Sequence, residues 1–199
     1  MNKHWETRCA NGEYKKELER DTAETVLNFQ EQVRVLTKNL KKHNPKTILE
    51  IGCGTGRITK ILSEMFPDAE IIAIDLVQGN IDVCPKLLNV KYEQRDILAN
   101  PLTKHYDMIV AVEVLMHLKD ISILYKHLSI FSDVFIHIDF IRDWRRPMRH
   151  FALSVWKFIR GIPEHCFAHN YMTTNCYKTM YIEPIQLSKG FLQNYFEIK

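Results

Sequence analysis

Apolar residues recur at spacings of three and four through residues 13–42, with charged residues between them. This periodicity predicts an amphipathic helix, and Asn44-Pro45 is expected to end it. The pattern then changes to a short apolar run at residues 47–51, a glycine-rich turn, and a second helical pattern at residues 57–65. A long helix followed by a strand–turn–helix unit is therefore predicted for the first third of the chain.

Strand and helix patterns continue to alternate as far as Phe140. Further strands are predicted at residues 70–74, 90–94, 106–112 and 133–138, and further helices at residues 80–88 and 121–131. Strands that alternate with helices in this way form a parallel sheet with right-handed crossovers. Beyond Phe140 the pattern predicts a helix at residues 147–160 and two more strands, at residues 178–182 and 194–198.

The composition is that of a globular protein the size of one domain, with 199 residues, 46% of them hydrophobic and 26% charged. The net charge of +3 is too small to indicate nucleic-acid binding by itself. Five cysteines without a CxxC pair predict scattered, reduced thiols. The polar N-terminus does not resemble a signal peptide, and no apolar run reaches the ~20 residues of a membrane helix. A cytoplasmic protein without a membrane span is expected.

A glycine-rich turn, Glu50-Ile-Gly-Cys-Gly-Thr-Gly56, joins the first strand to the helix that follows it. Glycine allows a backbone to turn sharply and to lie against a ligand with no side chain between them, and the helix start offers free N–H groups. The GxGxxG dinucleotide motif would need a glycine at Arg57, and the Gly-Lys-Ser/Thr of a P-loop is absent. A tight strand-to-helix turn without a ligand remains the alternative.

Carboxylates stand at or near the ends of four successive predicted strands: Glu50, Asp75, Asp96 and Glu113. These ends converge on the edge where open α/β sheets bind ligands. A carboxylate in the position of Asp75 can accept hydrogen bonds from both hydroxyls of a ribose. Four acids at this edge favour a ligand site over coincidence.

The chain resembles the class I S-adenosylmethionine-dependent methyltransferases over about residues 47–138. Four features carry the resemblance: the glycine turn, the acid after the second strand, Asp96-Ile97, and Glu113-Val-Leu-Met-His117. The resemblance implies a Rossmann-like three-layer αβα sandwich, with a mostly parallel seven-stranded sheet and an antiparallel last strand. We expect residues 1–42 to form a helical cap or lid, residues 43–199 to form the methyltransferase domain, and both to make one compact unit.

The resemblance also implies S-adenosyl-L-methionine as the cofactor. Its implied binding residues are Glu50, Gly52, Cys53, Gly54, Gly56, Asp75, Leu76, Asp96, Ile97, Ala111, Val112 and Glu113. In the family, the glycines lie against the methionine and the sugar, and the acid after the second strand binds the ribose hydroxyls. Asp96 and the Ile97 backbone would surround the adenine, and residues 111–113 would lie beside the methionine or the sulfur.

Methyl transfer from a sulfonium depends mainly on alignment of the acceptor and exclusion of water, so the resemblance supplies no fixed catalytic residue. The candidates are His117, after the fourth strand, and His169 and Tyr171 in a cluster at residues 164–171. That cluster looks like a His-Asp-Tyr segment of some small family members, with Asn170 in the acidic place. A helix-start role for His117 and a loop role for His169 are the alternatives.

No metal is expected, because Met116 replaces the second glutamate of the Glu-x-x-Glu-His run of small-RNA 3′-end methyltransferases. The fourth strand is not followed by the Pro-Pro-Tyr/Phe/Trp run of enzymes that modify base amino groups. A small-molecule methyl acceptor is the leading hypothesis. An RNA or protein acceptor bound by the basic segment 142–160, and a non-catalytic cofactor-binding subunit, are the alternatives.

Overall fold

The computed structural model describes residues 6–7, 9–10, 23–118, 124, 127–128, 130–140, 180–186 and 192–198. In chain order the elements are α1 (Ala23–Leu40), β1 (Thr47–Ile51), α2 (Arg57–Met65), β2 (Glu70–Asp75), α3 (Gln78–Ile81), β3 (Val90–Gln94), β4 (Tyr106–Val112), a 3₁₀ turn (Leu115–His117), β5 (Ser132–Phe140), β6 (Met180–Gln186) and β7 (Leu192–Ile198).

The strands form one seven-stranded sheet in the order β3-β2-β1-β4-β5-β7-β6. β1 to β5 pair in parallel, whereas β7 is antiparallel to both of its neighbours. This topology confirms the predicted mostly parallel sheet with an antiparallel last strand. The order reverses between β1 and β4, and such switch points are where open α/β sheets bind their ligands.

The sheet buries apolar side chains on both faces. On one face Leu36 and Leu40 of α1 and Leu62 of α2 pack with Ile48 of β1, and all four are fully buried. On the other face, Leu49 of the same strand belongs to a second cluster that includes Leu124 and Leu128. Because consecutive strand residues point to opposite faces, one apolar strand supplies both clusters, and the layers are helix, sheet and helix.

The main disagreement with the predicted elements is the helix expected at residues 80–88. Only Gln78–Ile81 is helical, because Pro85 has no N–H to donate and disfavours a helical residue before it. β6 extends past its predicted end and includes Pro184, which a sheet tolerates in an edge strand.

Some predicted elements fall partly or wholly outside the described residues. They are residues 13–22 of the first helix, the helix at 147–160, and most of the helix at 121–131, of which Leu124, His127, Leu128 and Ile130 are helical. Among the described helices, none combines the length and apolar composition needed to cross a bilayer.

Candidate cofactor-binding site

The glycine turn is packed at both ends and open in the middle. All three of its glycines have positive φ, at 72°, 54° and 82° for Gly52, Gly54 and Gly56, a conformation that strains residues with side chains. A Cβ on Gly52 would stand 2.3 Å from Val114 Cγ2, and one on Gly56 would stand 2.7 Å from Pro85 Cδ. A Cβ on Gly54 would meet no atom within 4 Å. Gly54 therefore faces the open space in which a ligand could lie.

Asp75 joins the glycine turn to the segment after β2. Its Oδ2 accepts the Gly54 N–H at 2.9 Å, and its Oδ1 accepts the Val77 N–H at 2.9 Å and Asn80 Nδ2 at 3.2 Å. The side chain is buried, with 8% exposed. A carboxylate has about four acceptor positions, so three donors fix its orientation and leave capacity for a further donor. Asn80 is a member of this site that the sequence interpretation missed.

Glu50 lies behind the turn, on the face of the sheet that α2 covers. Its side chain is 3% exposed. Burial raises the pKa of the Glu50 carboxyl to about 7, the neighbouring Thr59 hydroxyl opposes the rise, and the negative charge of Asp75 adds to it. This position suits support of the turn, as the family resemblance implies.

Asp96 and Ile97, which follow Arg95 after the end of β3, are part of a turn of their own. Asp96 Oδ1 accepts the N–H groups of Leu98 at 2.9 Å and Ala99 at 3.3 Å, while Ile97 is buried. Leu76 is half-buried, and its carbonyl oxygen accepts a hydrogen bond from Gln94 Nε2 at 3.1 Å. These contacts bring the segments after β2 and β3 together at one edge of the sheet.

The end of β4 completes the edge. Ala111 is fully buried and pairs with Ile51, and Val112 pairs with Ile138. Glu113 follows with φ 58°, and Gln32 Nε2 of α1 donates to its Oε1 at 2.8 Å.

His117 is the last residue of the 3₁₀ turn after this strand, and its backbone N–H donates a hydrogen bond to the Val114 carbonyl at 3.0 Å. His169, Tyr171 and the basic segment 142–160 lie outside the described residues.

Two of the described cysteines lie close together at the glycine turn. Cys53 Sγ and Cys84 Sγ both donate to the Gly54 carbonyl, at 3.8 Å and 3.3 Å, and Cys9 Sγ would stand 2.6 Å from a Cβ on Gly79. Contact with the Cys84 thiol, together with burial, raises the pKa of the Cys53 thiol. All three thiols are free. Cys53 and Cys84 are far apart in sequence and meet because the segments after β1 and β2 are neighbours.

Two comparisons concern the sequence. Residues 48–129 match the family model of a methyltransferase domain. Malonyl-[acyl-carrier protein] O-methyltransferase of Anoxybacillus flavithermus is 40% identical over 72 residues, covering 35% of this chain and 28% of that protein. The same enzyme of Bacillus cytotoxicus is 37% identical over 101 residues, covering 47% and 35%. The chain thus spans about a third of the length of these relatives.

Solved structures share the fold. The plantazolicin methyltransferase BpumL in complex with SAH superposes with a TM-score of 0.60 at 17% identity, covering 94% of this chain and 88% of that one. A DhpI-SAM-HEP complex superposes with a TM-score of 0.62 at 15% identity, covering 98% and 94%. The matched domain and the strand order agree with these likenesses. Residues 48–129 thus match a methyltransferase domain, and the chain has the Rossmann-like fold of the S-adenosylmethionine-dependent methyltransferases.

Proposed function

We propose that this chain binds S-adenosyl-L-methionine at the carboxyl edge of β1, β2 and β4 and transfers its methyl group to a small molecule. The observation that carries the proposal is the geometry at Gly54. This glycine faces open space while its N–H holds the carboxylate of Asp75. A backbone without a side chain and a fixed acid are thus adjacent, which suits a ligand that has both a ribose and a polar amino-acid part.

The residues of the edge fit the cofactor chemically. Asp75 has acceptor capacity left for a ribose hydroxyl, and Leu76, Asp96 and Ile97 would surround the adenine. The turn of Glu50, Gly52, Cys53, Gly54 and Gly56 would lie along the methionine and sugar, with Ala111, Val112 and Glu113 at the methionine end. The carboxylates of this edge suit a cofactor with a net positive charge. When bound, the cofactor supplies a methyl group on a sulfonium whose leaving group is a neutral thioether.

The protein's own contribution is alignment of the acceptor and exclusion of water. We assign the acceptor side to the region of His117, with His169 and Tyr171 as further candidates. Residues 1–42 are proposed to cap the site, because Cys9 lies against Gly79 and Gln32 contacts Glu113, both at this edge.

A small-molecule acceptor is favoured by the relatives. The two relatives described above are named malonyl-[acyl-carrier protein] O-methyltransferase, and BpumL was solved with a monoazolic desmethylPZN analog. Within the part of the chain that the structure describes, which leaves out the basic segment 142–160, no observation favours an RNA or protein acceptor. The acceptor class can be tested by measuring S-adenosylhomocysteine formation with small carboxylic acids, alcohols and amines, and in parallel with RNA and protein. Turnover with RNA or protein alone would refute the small-molecule proposal.

The cofactor site is tested by calorimetry with two matched alanine variants. Gly54→Ala adds a methyl group to open space, so cofactor affinity should fall at least tenfold while the apo protein stays folded, at a cost of about 1–2 kcal/mol for the left-handed backbone. Gly56→Ala should instead damage the fold, because its Cβ would overlap Pro85. Normal affinity in a folded Gly54→Ala variant would refute the assignment of this turn.

A further inference from the structure

Two thiols meet at the carbonyl of Gly54, in the turn proposed to bind the cofactor. Cys53 Sγ lies 3.8 Å and Cys84 Sγ 3.3 Å from that oxygen, so the two sulfurs share one acceptor. A Cβ on Gly56 would stand 3.2 Å from Cys84 Sγ, which places this sulfur against the turn. Both cysteines are free thiols. The fold thus brings together a pair of thiols at the candidate site.

The surroundings of the pair connect it to Asp75. The Cys53 N–H donates to the Ile74 carbonyl at 3.0 Å, directly before Asp75. Cys84 Sγ also lies 3.4 Å from the carbonyl of Asn80, the residue whose side chain donates to Asp75 at 3.2 Å. The pair therefore lies between the glycine turn and the segment that orients this acid.

The two thiols differ in exposure and in acidity. Cys84 is half-buried, whereas Cys53 is 6% exposed. Contact with the Cys84 thiol, burial, and the negative charges of Glu50 and Asp75 all raise the pKa of the Cys53 thiol. Oxidation of a cysteine depends on its thiolate character and on its exposure. An oxidant therefore reacts first with Cys84, and Cys53 is the neighbouring thiol that can react with the oxidised sulfur.

We propose that Cys53 and Cys84 are a redox-sensitive pair: hydrogen peroxide joins them in a disulfide, and the disulfide weakens cofactor binding at the glycine turn. The effect on binding rests on the proposed function. The Cys84 sulfur attacks one peroxide oxygen, the O–O bond breaks, and a first water leaves a sulfenic acid on Cys84. The Cys53 sulfur then attacks the Cys84 sulfur, the S–O bond breaks, and the hydroxyl leaves as a second water with the Cys53 proton. Two thiols are oxidised and one peroxide is reduced.

The disulfide changes the contacts that hold Gly54. Bonded sulfurs lie only about 2.05 Å apart, closer than the sulfurs of two separate thiols can approach. The Gly54 carbonyl also loses both of its S–H donors. Either the glycine turn or the segment that carries Asn80 must shift to form the bond. Because Gly54 and Asn80 both donate to Asp75, either shift disturbs the acid proposed to bind the ribose.

The test compares reduced protein with protein that has been treated with hydrogen peroxide and then desalted. Mass spectrometry of unreduced peptides should find the Cys53 peptide joined to the Cys84 peptide. Calorimetry should show affinity for S-adenosylmethionine lowered at least about tenfold. Dithiothreitol should reverse both changes, which distinguishes a disulfide from methionine sulfoxide and from the irreversible acids of cysteine.

Two variants assign the effect to the pair. Cys84→Ser keeps a hydroxyl donor for Gly54 but cannot form the disulfide, so peroxide should leave its cofactor affinity at the value of its own reduced form. Cys84→Ala serves if the serine variant does not fold. Cys9→Ser replaces the other free thiol of the described residues and is the matched control. Its affinity should remain as sensitive to peroxide as that of the parent.

Three results would overturn the inference. They are the absence of the joined peptides after treatment, an unchanged affinity in protein that carries the disulfide, and an equal loss of affinity in Cys84→Ser. If the reduced parent does not bind S-adenosylmethionine, the proposed function itself fails. Normal binding by the reduced parent, together with any of the three results, refutes the inference alone.

Discussion

Replacement of Glu50 by glutamine should stabilise the folded protein at neutral and alkaline pH. The Glu50 side chain is 3% exposed behind the glycine turn. Burial raises the pKa of its carboxyl from 4.5 to about 7, against the opposing effect of the Thr59 hydroxyl. In the unfolded chain the carboxyl ionises with its ordinary pKa, so folding above that pH requires either a proton or a buried charge.

The size and sign of the effect follow from the two pKa values. Below pH 4.5 the carboxyl is neutral in both states and costs nothing. As pH rises from 4.5 to about 7 the folded state loses stability, and above about 7 the loss is complete. At 1.36 kcal/mol per pKa unit, the difference between 4.5 and about 7 corresponds to a loss of about 3 kcal/mol. Because glutamine does not ionise, Glu50→Gln removes this loss.

The assay is urea unfolding of the cofactor-free protein at several pH values between 4.5 and 8.5, analysed by linear extrapolation. The free energy of unfolding of Glu50→Gln relative to the parent should rise by about 3 kcal/mol across this range. A buried amide can add an offset, but that offset does not vary with pH. Glu64→Gln, the same substitution at an exposed position of α2, is the control. A difference between parent and Glu50→Gln that stays constant with pH would refute the reasoning.

Three further predictions concern other residues and the reaction. Asp75→Ala should weaken cofactor binding by about 1–3 kcal/mol, because it removes the acceptor that aligns Gly54; unchanged affinity by calorimetry would contradict the ribose role. For Asp107, burial tends to raise the pKa but N–H donation from Lys46 and Thr47 outweighs it, so the pKa is lowered. Asp107→Asn should therefore destabilise the protein near pH 7, and urea unfolding should show the difference vanishing as pH falls below about 3.8. Chelators should leave methyl transfer unchanged, and activity lost to EDTA and restored by a divalent metal would refute the metal-free reaction.

The strands and helices around the glycine turn were predictable because each carries a strong local signal. β1, α2, β3 and β4 begin and end where the apolar patterns and the Gly and Pro residues place them. The same reasoning failed for α3, where an apolar pattern suggested a helix through residue 88. The helix ends at Ile81 instead, because Pro85 lacks the N–H that a continued helix would need, and the apolar pattern there is weak.

The candidate site was predictable only where its residues stand at strand ends. Glu50, Asp75 and Glu113 could be assigned to one edge because parallel strands align their carboxyl ends. The side-chain contacts between elements could not be foreseen. Neither the donation from Asn80 to Asp75 nor that from Gln32 to Glu113 has a periodic or spacing signal.

The proposed cofactor residues all lie within the matched domain, whereas only one of the three acceptor candidates, His117, does. The family match at residues 48–129 contains every candidate residue for the cofactor. His169, Tyr171 and the basic segment 142–160 lie beyond it, and so does Gln32 on the other side. The curated relatives match over 72 and 101 residues, only about a third of their length. The matched domain therefore contains the proposed cofactor residues, whereas His169 and Tyr171, proposed for the acceptor, lie outside it. Malonyl-[acyl-carrier protein], which appears in the name of these relatives, is therefore a first acceptor to test.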